Sequence, residues 1–224
     1  MISVAMITLN EEKAVEAVIR DVLRAVPDAE IVIVDSSEDR TPEIAESLGA
    51  KVIRQYPPQG YGVAMEKALR SAAGEVVVTM DCDGTYPAEM IPKFVLEVTD
   101  GGYDLVDGSR LKGKPAAMPW VNYIANRFFA LIASALFCVR LTDLHSGMRA
   151  YRKEMVEGIP FRAEGAAFPV ELLLLPLKKG YRVKTIFIPY RERIGESTMR
   201  PLESALWTIR RILRVRFGTQ KNAC

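Results

Sequence analysis

One histidine, three cysteines and two tryptophans are all that this 224-residue chain holds of those residue types. The single imidazole, His145, excludes any chemistry that needs two. Cys82, Cys138 and Cys224 lie far apart and are odd in number. That argues against a disulfide framework and fits a reducing, cytoplasmic setting. No C-x-x-C pair or histidine cluster suggests a zinc site. An excess of charge is missing too: 30 Lys and Arg face 28 Asp and Glu, a net charge of +2, and that balance predicts no nucleic-acid partner. Long hydrophobic runs are also absent. The longest, FFALIASALFCV from Phe128 to Val139, is bounded by Arg127 and Arg140. It reads as too short to span a bilayer, so a buried core helix or one dipping into a membrane surface is expected. The opening MISVAMITLNEEK has no basic leader or cleavage site and is not expected to be a signal peptide.

What is present is globular. A composition 49% hydrophobic and 26% charged argues against a mainly disordered chain and allows one domain with a real core. In the first half, apolar runs alternate with helical spacing. ISVAMITL reads as a strand, and Glu11 to Val26 as a helix with apolar Ala14, Val15, Val18, Ile19, Val22 and Leu23. EIVIVD, KVIRQY, EVVVTMD and YDLVDGSR read as further strands. Helices are expected at Thr41 to Gly49, Gly62 to Ala73 and Pro87 to Val98. This alternation predicts an α/β fold, with a mostly parallel central sheet and helices on both faces. In the second half, Trp120 to Val139 reads as a long helix and DLHSGMR (Asp143 to Arg149) as a loop. A helix over Val170 to Gly180, a long strand YRVKTIFIPYRER and a terminal helix Pro201 to Phe217 follow.

Strand ends carry the chemistry. Asn10 and Glu11, Asp35, and then Asp81 and Asp83 follow three apolar runs. In an open parallel sheet those ends line one crevice, where ligands bind. Acids gathered there repel one another unless a cation or hydrogen-bond donors balance them. A hard divalent ion with oxygen ligands and a bound phosphate is the simplest balance. The alternative, that each acid caps the next turn, stays open, above all for Asp35. A D-x-D-G-T sequence also serves phosphatases of the haloacid dehalogenase type. Those place it on the first strand and need a further acidic pair, whereas here it ends the fourth strand and the later strand ends in DGSR. A dinucleotide fold fails as well, because TLNEE, not G-x-G-x-x-G, follows the first strand.

Taken in order, ITLNEE, IVIVDSSEDRT, PPQGYGVAMEKALRSAAGEVVVTMDCDGTYP, DLVDGSR, DLHSGMRAYR, the glutamate of FPVELL, and IPYRERIGEST carry a resemblance over residues 2 to 199. The chain resembles family 2 glycosyltransferases of the dolichyl-phosphate mannose or glucose synthase type. The resemblance implies a GT-A fold, a GDP- or UDP-hexose donor, a divalent metal (Mg or Mn) and a polyprenyl phosphate acceptor. It implies donor contacts at Thr8, Asn10, Glu11, Asp35, Asp39, Gly60 and Asp81, with the metal at Asp83 and Asp81. Arg110, Ser146, Arg149, Arg193 and Ser197 would hold the acceptor, and Asp83, Arg110 and Asp143 would act in catalysis. A soluble acceptor with the same donor chemistry, and a binding module that has lost catalysis, are the competing readings.

The resemblance implies one catalytic domain over 1–224: a nucleotide-sugar half (1–110), an acceptor half (111–199) and a basic amphipathic helix with a tail (200–224). This sequence departs from the family at Thr85, where many members place a metal-binding glutamine, and at Thr198, in place of a lysine. His145 has no assigned role. An inverting attack by an ionised phosphate needs no strong base, whereas a hydroxyl acceptor would call on Asp143 or His145. In the terminal helix, Leu202, Leu206, Ile209 and Leu213 fall on one face with Arg210, Arg211 and Arg214 beside it. That pattern suits an anionic membrane surface, and all three arginines are expected outside the core.

Overall fold

The computed structural model describes residues 1–165, 167–195 and 201–218. The strands are β1 (Ile2–Thr8), β2 (Glu30–Asp35), β3 (Lys51–Arg54), β4 (Val76–Thr79), β5 (Leu105–Ser109), β6 (Arg149–Arg152) and β7 (Val183–Phe187). They form one seven-stranded sheet in the order β3-β2-β1-β4-β6-β5-β7. Every pairing is parallel except those of β6, which runs antiparallel to both β4 and β5. The helices are α1 (Val15–Ala25), α2 (Thr41–Ser47), α3 (Tyr61–Ser71), α4 (Ile91–Thr99), α5 (Trp120–Phe137), α6 (Lys153–Gly158), α7 (Phe168–Lys178) and α8 (Pro201–Phe217).

Strand periodicity gives the sheet two apolar faces. Val4, Met6, Ile31 and Ile33 join Val18 and Ile19 of α1 and Ile91 and Phe94 of α4 on one side. Ala5, Val32 and Val34 join Met65 and Leu69 of α3, Phe168 and Leu173 of α7, and Ile212 of α8 on the other. With both faces covered, β2 is a continuous buried run, as its sequence predicts. Register sets the site: Thr8 pairs with Asp35 and Asp35 with Arg54, so three strand ends finish at one level.

Several expected elements are shorter than read. β3 stops at Arg54, before the cis Tyr56–Pro57 bond and Pro58. β7 stops at Phe187, just ahead of Pro189, because proline cannot donate to a ladder. β6 was not expected at all. RAYR is four residues long and shows no apolar run, yet it is inserted between β4 and β5.

α5 also corrects an expectation. It is 18 residues long with a mean hydropathy of 1.2, so it reaches the length and composition needed to cross a membrane. Phe129, Ala130 and Ala133 nevertheless pack one face into the core, while Val121, Ile124, Phe128, Leu131 and Ala135 are exposed on another. α8 corrects a second one. Arg211 is 2% exposed and lies in the core with Thr208, Ile212 and Val215, while Leu206, Ile209, Leu213 and Phe217 face outward. Arg211 donates to the Glu171 carboxylate of α7 and to the Arg162 and Glu164 carbonyls. Arg210 and Arg214 are exposed, as expected.

Candidate functional site

The candidate site begins at the ends of β1 and β2. Asp35 is fully buried. Its Oδ1 accepts from Thr8 Oγ1 and from Ser37 Oγ, both at 2.6 Å. Its Oδ2 accepts from the Ser37 main-chain N–H at 3.1 Å and from the Arg54 guanidinium. Four donors fill the carboxylate, so Asp35 shapes the crevice by fixing Thr8, Ser37 and Arg54. The turn-capping alternative therefore describes its contacts. Asp39 acts likewise, accepting from Thr41 N (3.0 Å), Thr41 Oγ1 (2.5 Å) and Glu12 N (3.2 Å). Asn10 adopts the left-handed region at φ 58°. Its N–H donates to Ser37 Oγ at 2.8 Å, and its side-chain oxygen accepts from Glu38 N at 2.9 Å. Gly60, at φ 93°, turns the chain into α3, a conformation that glycine reaches without steric cost.

Asp81 and Asp83 close the other wall, beyond β4. Asp83 Oδ1 accepts from the Thr85 N–H (3.0 Å) and Thr85 Oγ1 (2.6 Å). Thr85, a departure from the family pattern, thus orients the metal-ligand candidate. Asp83 Oδ2 pairs with Arg193 Nη1 at 2.8 Å, and Arg193 Nη2 donates to Glu11. Arg193 therefore bridges the Asp83 and Glu11 carboxylates. Burial, with Asp83, Asp81 and Asp39 adding repulsion against the pull of Arg193, raises the Glu11 carboxyl to about 7. Burial and the neighbouring Asp83 raise Asp81 in the same way. Such crowding favours a cation.

The donors are all oxygens, as Mg and Mn prefer. Among the described residues no three His, Cys, Asp or Glu side chains converge as a ready-made metal cage. Two carboxylates that leave positions for phosphate oxygens and water fit a hard cation brought to a diphosphate.

The opposite side is built on DGSR and DLHSGMR. Asp143 is fully buried and grips Arg110 through Nε (2.7 Å), Nη2 (3.0 Å) and the main-chain N–H (3.2 Å). Burial alone would raise its carboxyl, but the Arg110 charge and hydrogen bonds outweigh that and hold it below the usual range. A carboxylate so held is ionised and weakly basic, and its three hydrogen bonds position Arg110. The Arg110 guanidinium lies 5.1 Å from the centre of the Tyr190 ring. Arg110, Lys114 and Tyr190 line a pocket of about 200 Å³.

Gly147 joins the two sides. A Cβ there would come within 2.8 Å of Asp81 Oδ2, and its N–H donates to Tyr86 Oη at 2.7 Å.

Other candidates turn inward. Arg149, 1% exposed, donates to Asp107 (2.7 Å) and to the Pro169 (2.5 Å) and Leu144 (3.1 Å) carbonyls. It is an internal strut, which corrects its expected acceptor contact. Ser146 is buried and accepts from Met148 N at 3.4 Å. Ser197 and Thr198 lie outside the described residues. His145 contacts Thr208 Oγ1 through Nε2 at 2.8 Å, and its Nδ1 is buried without a hydrogen-bond partner among the described residues. Burial lowers its pKa to about 4, so it stands neutral between α5 and α8. Sequence reasoning missed Lys114 and Tyr190; Tyr190 stood inside the quoted IPYRER, but nothing local to it pointed to Arg110.

Known proteins share this arrangement of chain. The profile of Glycosyl transferase family 2 matches residues 3–159. A dolichyl-phosphate hexose transferase of Haloferax volcanii is 46% identical over 201 residues, covering 89% of this chain and 87% of that one. A dolichol-phosphate mannosyltransferase of Pyrococcus furiosus is 32% identical over 214 residues, covering 89% of this chain but only 59% of its own length. Among solved structures, glucosyl-3-phosphoglycerate synthase from Mycobacterium tuberculosis, in complex with Mn2+, UDP and glucosyl-3-phosphoglycerate, superposes with a TM-score of 0.77. At 24% identity, over 96% of this chain and 80% of that one, it shares the fold.

Proposed function

The chain belongs to glycosyl transferase family 2 and is a glycosyltransferase of GT-A fold, and we propose that it moves a hexose from a UDP- or GDP-sugar to a polyprenyl phosphate at a membrane surface. The observation that carries the acceptor class is the Arg110–Asp143 pair. The candidate acceptor side offers a fixed cation, while its two possible bases, Asp143 and His145, are an engaged carboxylate and a neutral buried imidazole. A hydroxyl acceptor would have only these two weak bases there, their pKa values lowered by Arg110 and by burial; an ionised phosphate needs none.

In this reading Glu11, Asp81 and the turn of Asp83 receive the donor diphosphate. Asp83 and Asp81 would hold a divalent cation, Mg or Mn, which supplies Lewis-acid charge to the leaving nucleotide diphosphate. Arg110, kept rigid by Asp143 and Tyr190, orients the acceptor phosphate with charge-assisted hydrogen bonds, and Lys114 adds a second positive charge. The acceptor oxygen then attacks the anomeric carbon from the face opposite the diphosphate, inverting it. Residues 1–110 would serve the donor and 111–199 the acceptor, with Arg193 crossing to the donor side.

The membrane reading rests on α5 and α8. Lys114 Nζ sits 5.2 Å from the ring centre of Trp120, the first residue of α5. Beyond it the exposed Val121, Ile124, Phe128 and Leu131 form an apolar stripe at helical spacing. No acid occurs between Lys112 and Arg140. Arg127 and Arg140 flank a groove of about 510 Å³ along the same helix. α8 lies beside α5, with Arg216 Nε donating to the Leu136 carbonyl at 2.7 Å, and contributes its own exposed apolar row. An apolar face rimmed by basic residues suits an anionic leaflet.

The test is a transfer assay with UDP- and GDP-hexoses, with and without Mn2+. Polyprenyl phosphate in vesicles is compared with a soluble phosphate monoester and with a sugar alcohol. Metal-dependent transfer to the vesicle substrate is expected. Preference for the sugar alcohol would overturn the acceptor assignment.

A further inference from the structure

We infer that Arg193 holds the place of a cation between Glu11 and Asp83 in the donor-free protein, so that the acids bind a divalent ion more tightly together with a diphosphate than alone. The inference rests on the metal reading above and adds an order of binding to it.

The segment Arg191–Gly195 is laid along the Asp83 turn. Arg191 N donates to the Thr85 carbonyl at 3.0 Å and Ile194 N to the Asp83 carbonyl at 2.9 Å. Arg191 also pairs with Glu89 at 2.5 Å. Gly195, at φ +97°, lies beside Glu11, where a Cβ would sit in ordinary contact, 3.7 Å from Oε2. Thr85 already fills Asp83 Oδ1 with two hydrogen bonds. Oδ2 is then the oxygen left for a ligand, and Arg193 occupies it while reaching Glu11 with its other nitrogen. The acids are fixed, with side chains 6% and 11% exposed, whereas the Arg193 side chain is 34% exposed and enters from outside. The guanidinium is thus the partner free to leave.

A cation arriving alone would displace Arg193 and leave its charge unpaired beside a second positive charge. A diphosphate arriving with the cation gives the displaced guanidinium new anionic oxygens in the same place. Ion and nucleotide therefore bind cooperatively, and by linkage each raises the affinity of the other by the same factor.

The measurement is Mn2+ binding to the full chain, followed by the electron paramagnetic resonance signal of free Mn2+, without nucleotide and with saturating UDP or, in parallel, GDP. Wild type is expected to bind Mn2+ at least about tenfold more tightly with nucleotide, within the usual range of coupling. Arg193→Gln should bind Mn2+ alone about tenfold more tightly than wild type and change little when nucleotide is present. Arg191→Gln, which loosens the same segment without touching the acids, should bind Mn2+ alone as wild type does.

The inference fails if Arg193→Gln shifts Mn2+ affinity equally with and without nucleotide, or leaves the nucleotide-free affinity unchanged. It also fails if Arg191→Gln reproduces the gain, for then the segment and not the charge is responsible. If wild type and Arg193→Gln bind no Mn2+ even with UDP or GDP, the metal reading is overturned and this inference with it.

Discussion

The Arg110 guanidinium and the Asp143 carboxylate form a two-pronged ion pair, Nε to Oδ2 at 2.7 Å and Nη2 to Oδ1 at 3.0 Å. A planar fork held this way presents its remaining N–H groups in a fixed direction. Lysine cannot reproduce that geometry. Arg110→Lys is therefore predicted to lower acceptor kcat/KM by roughly 10- to 100-fold, a loss of about 1.4–3 kcal/mol, with nucleotide binding unchanged. Steady-state kinetics with each substrate varied in turn decides it. An equal loss of donor affinity would place Arg110 on the donor side.

Asp83→Asn should keep the fold, because the side chain supports the crevice and not an apolar cluster. Removing the charge should abolish most transfer and the metal-dependent part of nucleotide affinity. Calorimetry of UDP and GDP binding with and without Mn2+ reads this directly. Transfer at near wild-type rate in Mg2+ or Mn2+ would sink the metal assignment.

The arginines of α8 should divide sharply. Arg211 is buried on Glu171. Arg211→Gln strands a buried carboxylate, and breaking such a pair costs about 3–5 kcal/mol. Arg210 and Arg214 are exposed, and their Gln variants should stay within roughly 0.5 kcal/mol of wild type. Denaturant unfolding of the three single variants gives the answer; equal effects would mean that the helix faces are assigned wrongly.

Ile124, Phe128 and Leu131 are 61%, 54% and 69% exposed, so replacing all three by Ser should hardly change folding. If this face enters a leaflet, and each side chain contributes roughly 1 kcal/mol on partial burial, affinity for anionic vesicles should fall by about two decades. Co-sedimentation at several salt concentrations measures it. Unchanged binding would remove α5 from the membrane contact.

His145 supplies a pH signature. Its pKa is lowered to about 4 in the folded chain, against about 6.5 unfolded. Between those values the unfolded state binds more protons, so stability is lost as pH falls from about 6.5 towards 4. The advantage of wild type over His145→Gln should therefore shrink by up to about 2 kcal/mol between pH 6.5 and pH 5. Unfolding curves at the two pH values test this, and a pH-independent difference would show the imidazole to be solvated.

Much of this protein was legible before folding. β2 and its terminal Asp35 followed from one apolar run, and the gathering of Glu11, Asp81 and Asp83 followed from acids placed where parallel strands end. Local pattern suffices there because strand period and strand polarity alone fix which side chains leave the sheet and where. The arginines are different. Arg149 found Asp107 across 42 residues of sequence, Arg193 found Asp83 and Glu11 across 110 and 182, and Arg211 found Glu171 across 40. Nothing near a guanidinium in the sequence says which carboxylate will neutralise it, since that depends on which elements the sheet order brings together. The insertion of β6 between β4 and β5 and the packing of α7 against α8 made those choices. The same packing turned Arg211 inward and left Leu206, Ile209 and Leu213 outside, because a buried Glu171 lowers the energy of a buried arginine in a way that helical periodicity does not record.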